Sequence, residues 1–214
     1  MTRCRVLVLV LLAVLTPACA RASDSSSSTS AAPAGPPFSF VSMGGSETEG
    51  DGLTDRIRAA WPYVFFRETL PRETTFVNAA IDDSTLEHAL TDQVPLVEEN
   101  RPDLVAIFLG VDDLREHTPL DTFRTRLDEI MTRVDRAGVK RVLIGLLPAV
   151  YGADAPEYNG AIRNVAGAHH AVLVPLEDAA VTFSPGTDGI TRNPDAASQR
   201  LIADKFGTAY ERAS

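Results

Sequence analysis

Apolar and polar positions follow two rhythms along this chain. Residues 38–43 (FSFVSM) alternate with a period of two, as a short strand does, and Gly44-Gly45 ends the run. From 53 to 70 the apolar residues recur at helical spacing, with Pro62 dividing the segment and Trp61, Val64 and Phe65 on its inner face. Residues 75–80 (TFVNAA) predict a second strand, after which Asp83 or Ser84 should cap a helix, with Ser84 and Glu87 at capping-box spacing. The run LVAIFLG at 104–110 is almost unbroken apolar, as expected for a central parallel strand covered on both faces. Asp121 opens a helix over 122–137, and Gly138 closes it. A fourth strand at 141–147, a helix at 155–169 and a fifth strand at 171–175 follow. Asn193-Pro194 then opens a last helix over 195–212, with proline in its first turn.

Strands alternating with helices imply right-handed βαβ units. The fold class expected is α/β, a three-layer α/β/α sandwich on a parallel sheet of about five strands in the flavodoxin-like order 2-1-3-4-5. No internal repeat interrupts it.

The ends change the picture. Arg3 and Arg5 precede an apolar stretch at 6–15, and Ala18-Cys19-Ala20 closes it, so 1–18 reads as a secretory signal too short to span a bilayer. Cleavage before Cys19 would make the chain a lipoprotein diacylated at that residue; the same triplet also satisfies a plain A-x-A site. Residues 19–37, rich in Ser, Ala and Pro, read as a tether, and 38–214 as one domain with a sizeable core. Export to the outer face of the membrane, or secretion, is the expected location. Cys4 leaves with the signal, so the mature chain keeps Cys19 alone and can form no internal disulfide or Cys-based metal site. Net charge is −9, and loss of Arg3 and Arg5 takes it to −11. An acidic chain without a basic stripe argues against nucleic acid and against docking on anionic lipid; membrane contact is expected only through the anchor.

The candidate chemistry lies at the first strand's end. Strand, glycine turn, serine, helix is the layout that exposes a hydroxyl above the carboxyl edge of a parallel sheet, and here it places Ser46 there. Read as GGSETEG, residues 44–50 resemble the first block, GDSxTxG, of the SGNH (GDSL-type) esterases and lipases, with Gly45 at the family's Asp. Later blocks follow in order. Asn78 to Thr85 stands where the family has N-x-G-x-x-G-x-T, with Asp83 at the functional glycine. Gly110-Val111-Asp112-Asp113 stands for GxND, with Asp112 at the asparagine, and Asp188-Gly189-Ile190-Thr191 for DxxH, with Thr191 at the histidine.

The resemblance implies a catalytic set of Ser46, Asp188 and the position of Thr191, with oxyanion positions at Asp83 and Asp112. The substitutions argue against ordinary catalysis. Thr191 cannot take the serine's proton. An ionised Asp112 accepts hydrogen bonds and donates none, and the Asp83 side chain adds charge where an oxyanion would form. Of the histidines, His117 follows the third strand on the correct edge, His88 lies inside a helix, and His169 and His170 precede the fifth strand at the opposite edge. Glu47 and Glu49 read as a solvated rim. The expected function is therefore an exported SGNH-like domain, inactive or weakly active toward esters, that binds a small acyl or acetyl ester or a carbohydrate-type ligand. An active esterase with an unorthodox base is the alternative. A cation-dependent module is a third, since Asp83, Asp112 and Asp188 would converge with Asp82 and Asp113 nearby. No cofactor or metal is assigned, and a monomer is expected.

Overall fold

The computed structural model describes residues 37–186 and 192–213. The signal segment, Cys19 with almost all of the tether, and Asp188 and Thr191 lie outside the described residues. Strand β1 (Ser39–Gly44) is nearly all buried and pairs in parallel with β2 (Thr75–Asn78) on one side and β3 (Leu104–Phe108) on the other. Val41 stands in register with both Val77 and Val105. β4 (Arg141–Gly145) joins β3, and β5 (Val172–Val174) joins β4, which gives the parallel order β2-β1-β3-β4-β5. The order expected from the sequence is the order found.

Helices sandwich this sheet. On one side α3 (Trp61–Thr69) packs on α9 (Ala196–Arg212), with the Trp61 ring stacked on Phe206 at 4.1 Å and Phe65 edge-on to Tyr210 at 6.0 Å. A second set packs together: α5 (Val94–Asn100), α7 (Leu120–Arg136) and α8 (Ala155–Ala168). Phe123 meets Tyr158 edge-on at 4.8 Å, and Arg133 grips the Glu98 carboxylate through Nε and Nη2. Trp61, Phe40, Phe65, Phe108, Phe123 and Phe206 are fully buried, each contributing roughly 1.5–3 kcal/mol over leaving it exposed. No helix among the described residues is long and apolar enough to cross a membrane.

Three expectations change. The segment 53–70 is two helices, α2 (Arg56–Ala59) and α3, because Pro62 sits at the start of α3, where a missing N–H costs nothing. The capping box does not form. The short α4 (Leu86–His88) begins after Thr85, and its first N–H is taken by the Asp113 carboxylate at 2.9 Å, while Ser84 Oγ accepts from Gln93. Pro194 is not in the last helix; it ends β7 (Arg192–Pro194), which pairs antiparallel with β6 (Phe183–Pro185). α9 starts instead after Asp195, whose carboxylate accepts the Ser198 N–H.

Candidate functional site

β1 leads to β2 on one side and the chain then returns to β3 on the other, so a crevice opens above the carboxyl ends of β1 and β3. Ser46 stands there as the first residue of α1 (Ser46–Glu49). Gly44 is required beside it, since a Cβ would lie 1.9 Å from Thr48 Oγ1, which accepts the Trp61 indole N–H. Ser46 is fully buried, and its Oγ accepts a hydrogen bond from the Asp83 backbone N–H at 3.0 Å. Asp83 takes φ +51°. Glycine adopts that left-handed conformation freely and aspartate tolerates it better than most residues, so the Asp83 N–H stays aimed at Ser46.

Asp112 lies at the start of α6 (Val111–Arg115), 5% exposed. Its Oδ1 accepts from Arg115 Nη1 at 2.7 Å, and Arg115 Nη2 donates to Glu47 Oε1 at 3.1 Å. Glu47 is 1% exposed, not a solvated rim; only Glu49 of that pair reaches solvent, bound to Arg56. Two buried carboxyls thus share one guanidinium. Burial pushes Asp112 up to about 8 and the Glu47 carboxyl adds to the shift, against the pull of Arg115. Burial raises Glu47 as well, again opposed by Arg115 and reinforced by Asp82 and Asp83. Asp112 does accept, from Arg115, while its burial beside Glu47 favours the protonated form of the carboxyl.

The carboxylate cluster is looser than expected. Asp82 and Asp83 are exposed, and Asp113, buried, turns away to hold α4. Among the described residues no three His, Cys, Asp or Glu side chains are arranged to hold a metal ion, and the positive charge in contact with Glu47 and Asp112 is Arg115. Nor does a described histidine bond to Ser46. His88 meets Thr85, His169 bridges Asp135 and Asp128, and His117 is an exposed loop residue at φ +54°.

Several site residues went unread in the sequence. Gln93, on a π-helical turn (Ala89–Gln93), accepts from the Gly44 N–H and donates to the Gly44 carbonyl and Ser84 Oγ. Gln199 of α9 accepts the Trp61 N–H and donates to the Glu47 carbonyl. Asn193 donates to Asp51, which ties the segment before α9 to the turn after α1. An amphipathic helix pattern marks such residues only as polar positions on an inner face, a weak signal. Over Asp112 and Arg115 opens a cleft of about 520 Å³, lined also by Asp83, Glu116, Val150, Tyr151 and Phe183. Tyr151 and Phe183 meet edge-on at 5.4 Å. A smaller, more apolar hollow of about 250 Å³ lies on the flank between β5 and α9, away from Ser46.

The comparisons agree with this geometry. Residues 42–205 match the GDSL-like Lipase/Acylhydrolase family. The crystal structure of TesA superposes with a TM-score of 0.68 at 22% identity, covering 81% of this chain and 98% of that one. The psychrotrophic esterase EstA from Pseudoalteromonas sp. gives 0.65 at 18%, with 81% and 97% covered. An acetylxylan esterase from Geobacillus stearothermophilus gives 0.64 at 16%, with 80% and 93% covered. No curated protein sequence matches the chain. At these identities the structures speak for the fold, and the family match speaks for descent: the chain belongs to the GDSL-like lipase/acylhydrolase family.

Proposed function

We propose that this is an exported, membrane-tethered family member whose serine is not activated for ordinary ester hydrolysis, and whose cleft binds a small acyl or acetyl ester or a carbohydrate-type ligand. The observation that carries the reading is the state of Ser46: buried, its Oγ engaged by the Asp83 N–H, with no imidazole bonded to it among the described residues. The stretch 187–191, TDGIT, brings Asp188 but no histidine. A serine hydroxyl without a base is a poor nucleophile at neutral pH, and losing the base of a triad costs roughly 10⁴-fold or more. The ligand class is supported by family membership and by the esterases among the similar structures. The tether is supported by the Ala18-Cys19 junction.

One observation favours a second reading, a working esterase with an unorthodox base. The Asp83 N–H is still aimed at Ser46, where an oxyanion donor is needed. Hydrolysis of p-nitrophenyl acetate by the purified domain separates the two. Wild type and Ser46→Ala should be equal within error; activity lost in Ser46→Ala would make the second reading correct. Thr191→His combined with Asp83→Gly and Asp112→Asn should then bring measurable turnover that depends on Ser46.

A further inference from the structure

Gly45 takes an extended backbone that any residue could adopt, φ −95° and ψ −151°, so conformation does not demand a glycine there. Space does. A Cβ on Gly45 would stand 2.6 Å from Asp112 Oδ2 and 3.5 Å from Glu47 Oε2. The two oxygens not bound to Arg115 therefore converge on the one place where residue 45 has no side chain. We propose that Glu47 and Asp112 form an acid–carboxylate pair that holds a single proton across this gap, a proton-binding site that sets the charge of the cleft beside Ser46.

Electrostatics favours that arrangement. Glu47, Asp112 and Arg115 together are neutral with one proton and carry a buried negative charge without it. Two carboxyls that close, away from water, do not both ionise readily. The charges that face the pair come from several elements. Arg115 on α6 lowers both acids, Asp82 and Asp83 before α4 raise Glu47, and Asp83 and Asp113 raise Asp112. Tyr151 flanks the pair with its hydroxyl toward Glu47, and burial, then the Glu47 carboxyl, hold that hydroxyl protonated well above its usual range. With the proton in place the cleft can accept a neutral oxygen-bearing ligand; without it the cleft repels developing negative charge.

The site stands whether or not Ser46 reacts, so its test is separate from hydrolysis. Carboxyl carbon NMR of the wild-type domain, followed from acid to alkaline pH, should find one of the two carboxyls titrating near 8. In Glu47→Gln the remaining Asp112 should titrate about one pH unit lower or more, and in Asp112→Asn Glu47 should fall likewise, because each loses its like-charged neighbour. If one variant fails to fold, the other gives the same comparison. Two outcomes overturn the pair: both carboxyls titrating below about 5 in the wild type, as ordinary carboxylates do, or each keeping its wild-type titration after its neighbour is removed.

Discussion

At the scale of single residues, Gly45 and Asp112 meet in space. The Asp112 carboxylate occupies the space that a side chain at position 45 would need. Asp83 replaces a glycine yet keeps the backbone N–H on Ser46. Asp112 is raised from 3.8 to about 8 on folding, so the folded protein binds more protons than the unfolded chain between those values. Its contribution is fully present below about 4 and is lost as pH rises toward 8. Denaturant unfolding of the wild type should therefore lose stability relative to Asp112→Asn over that range, by roughly 1.4 kcal/mol per pH unit at most. Parallel curves for the two proteins would mean that Asp112 is an ordinary carboxylate.

At the scale of elements, buried amides fasten strand ends and loops around the site. Gln93 bonds Gly44 in both directions, as a neighbouring strand would, and Asn159 of α8 does the same for Leu147 after β4. Gln93→Ala removes three buried hydrogen bonds and leaves Gly44 unsatisfied in the interior, a loss of roughly 2–4 kcal/mol by chemical denaturation. A loss below about 0.5 kcal/mol, the range of neutral surface changes, would show that water replaces the amide. The sheet was legible in the sequence because its strands read as short alternating or apolar segments between helical ones, with Gly44-Gly45, Gly110 and Gly138 marking some of the turns. The caps were less legible. Helix α4 is held by Asp113 from a distant segment, and the β6–β7 ribbon consists of three-residue strands ending in proline, too short for periodicity to register. Glu47 was misread for a similar reason: its burial depends on Arg115 and Gln199, which the local sequence does not reveal.

At the scale of the whole molecule, the proposed anchor is a lipid on Cys19 rather than surface charge, since the chain is acidic and Cys19 follows Ala18. Full-length protein made in a bacterium that processes lipoproteins should sediment with membranes, and Cys19→Ser should release it or leave it unprocessed. A soluble wild-type product that begins at Arg21 would mean that the A-x-A site is used instead.

The reactivity of one atom, the Ser46 hydroxyl oxygen, can be read without choosing a natural substrate. An activated serine attacks the phosphorus of a p-nitrophenyl phosphonate, expels p-nitrophenolate and keeps the phosphonyl group as a stable adduct, visible as added mass on the intact protein. The account predicts no adduct on Ser46 after hours at neutral pH, with wild type and Ser46→Ala indistinguishable. Stoichiometric labelling of the wild type that disappears in Ser46→Ala would contradict it, because a hydroxyl without a base does not displace the nitrophenolate.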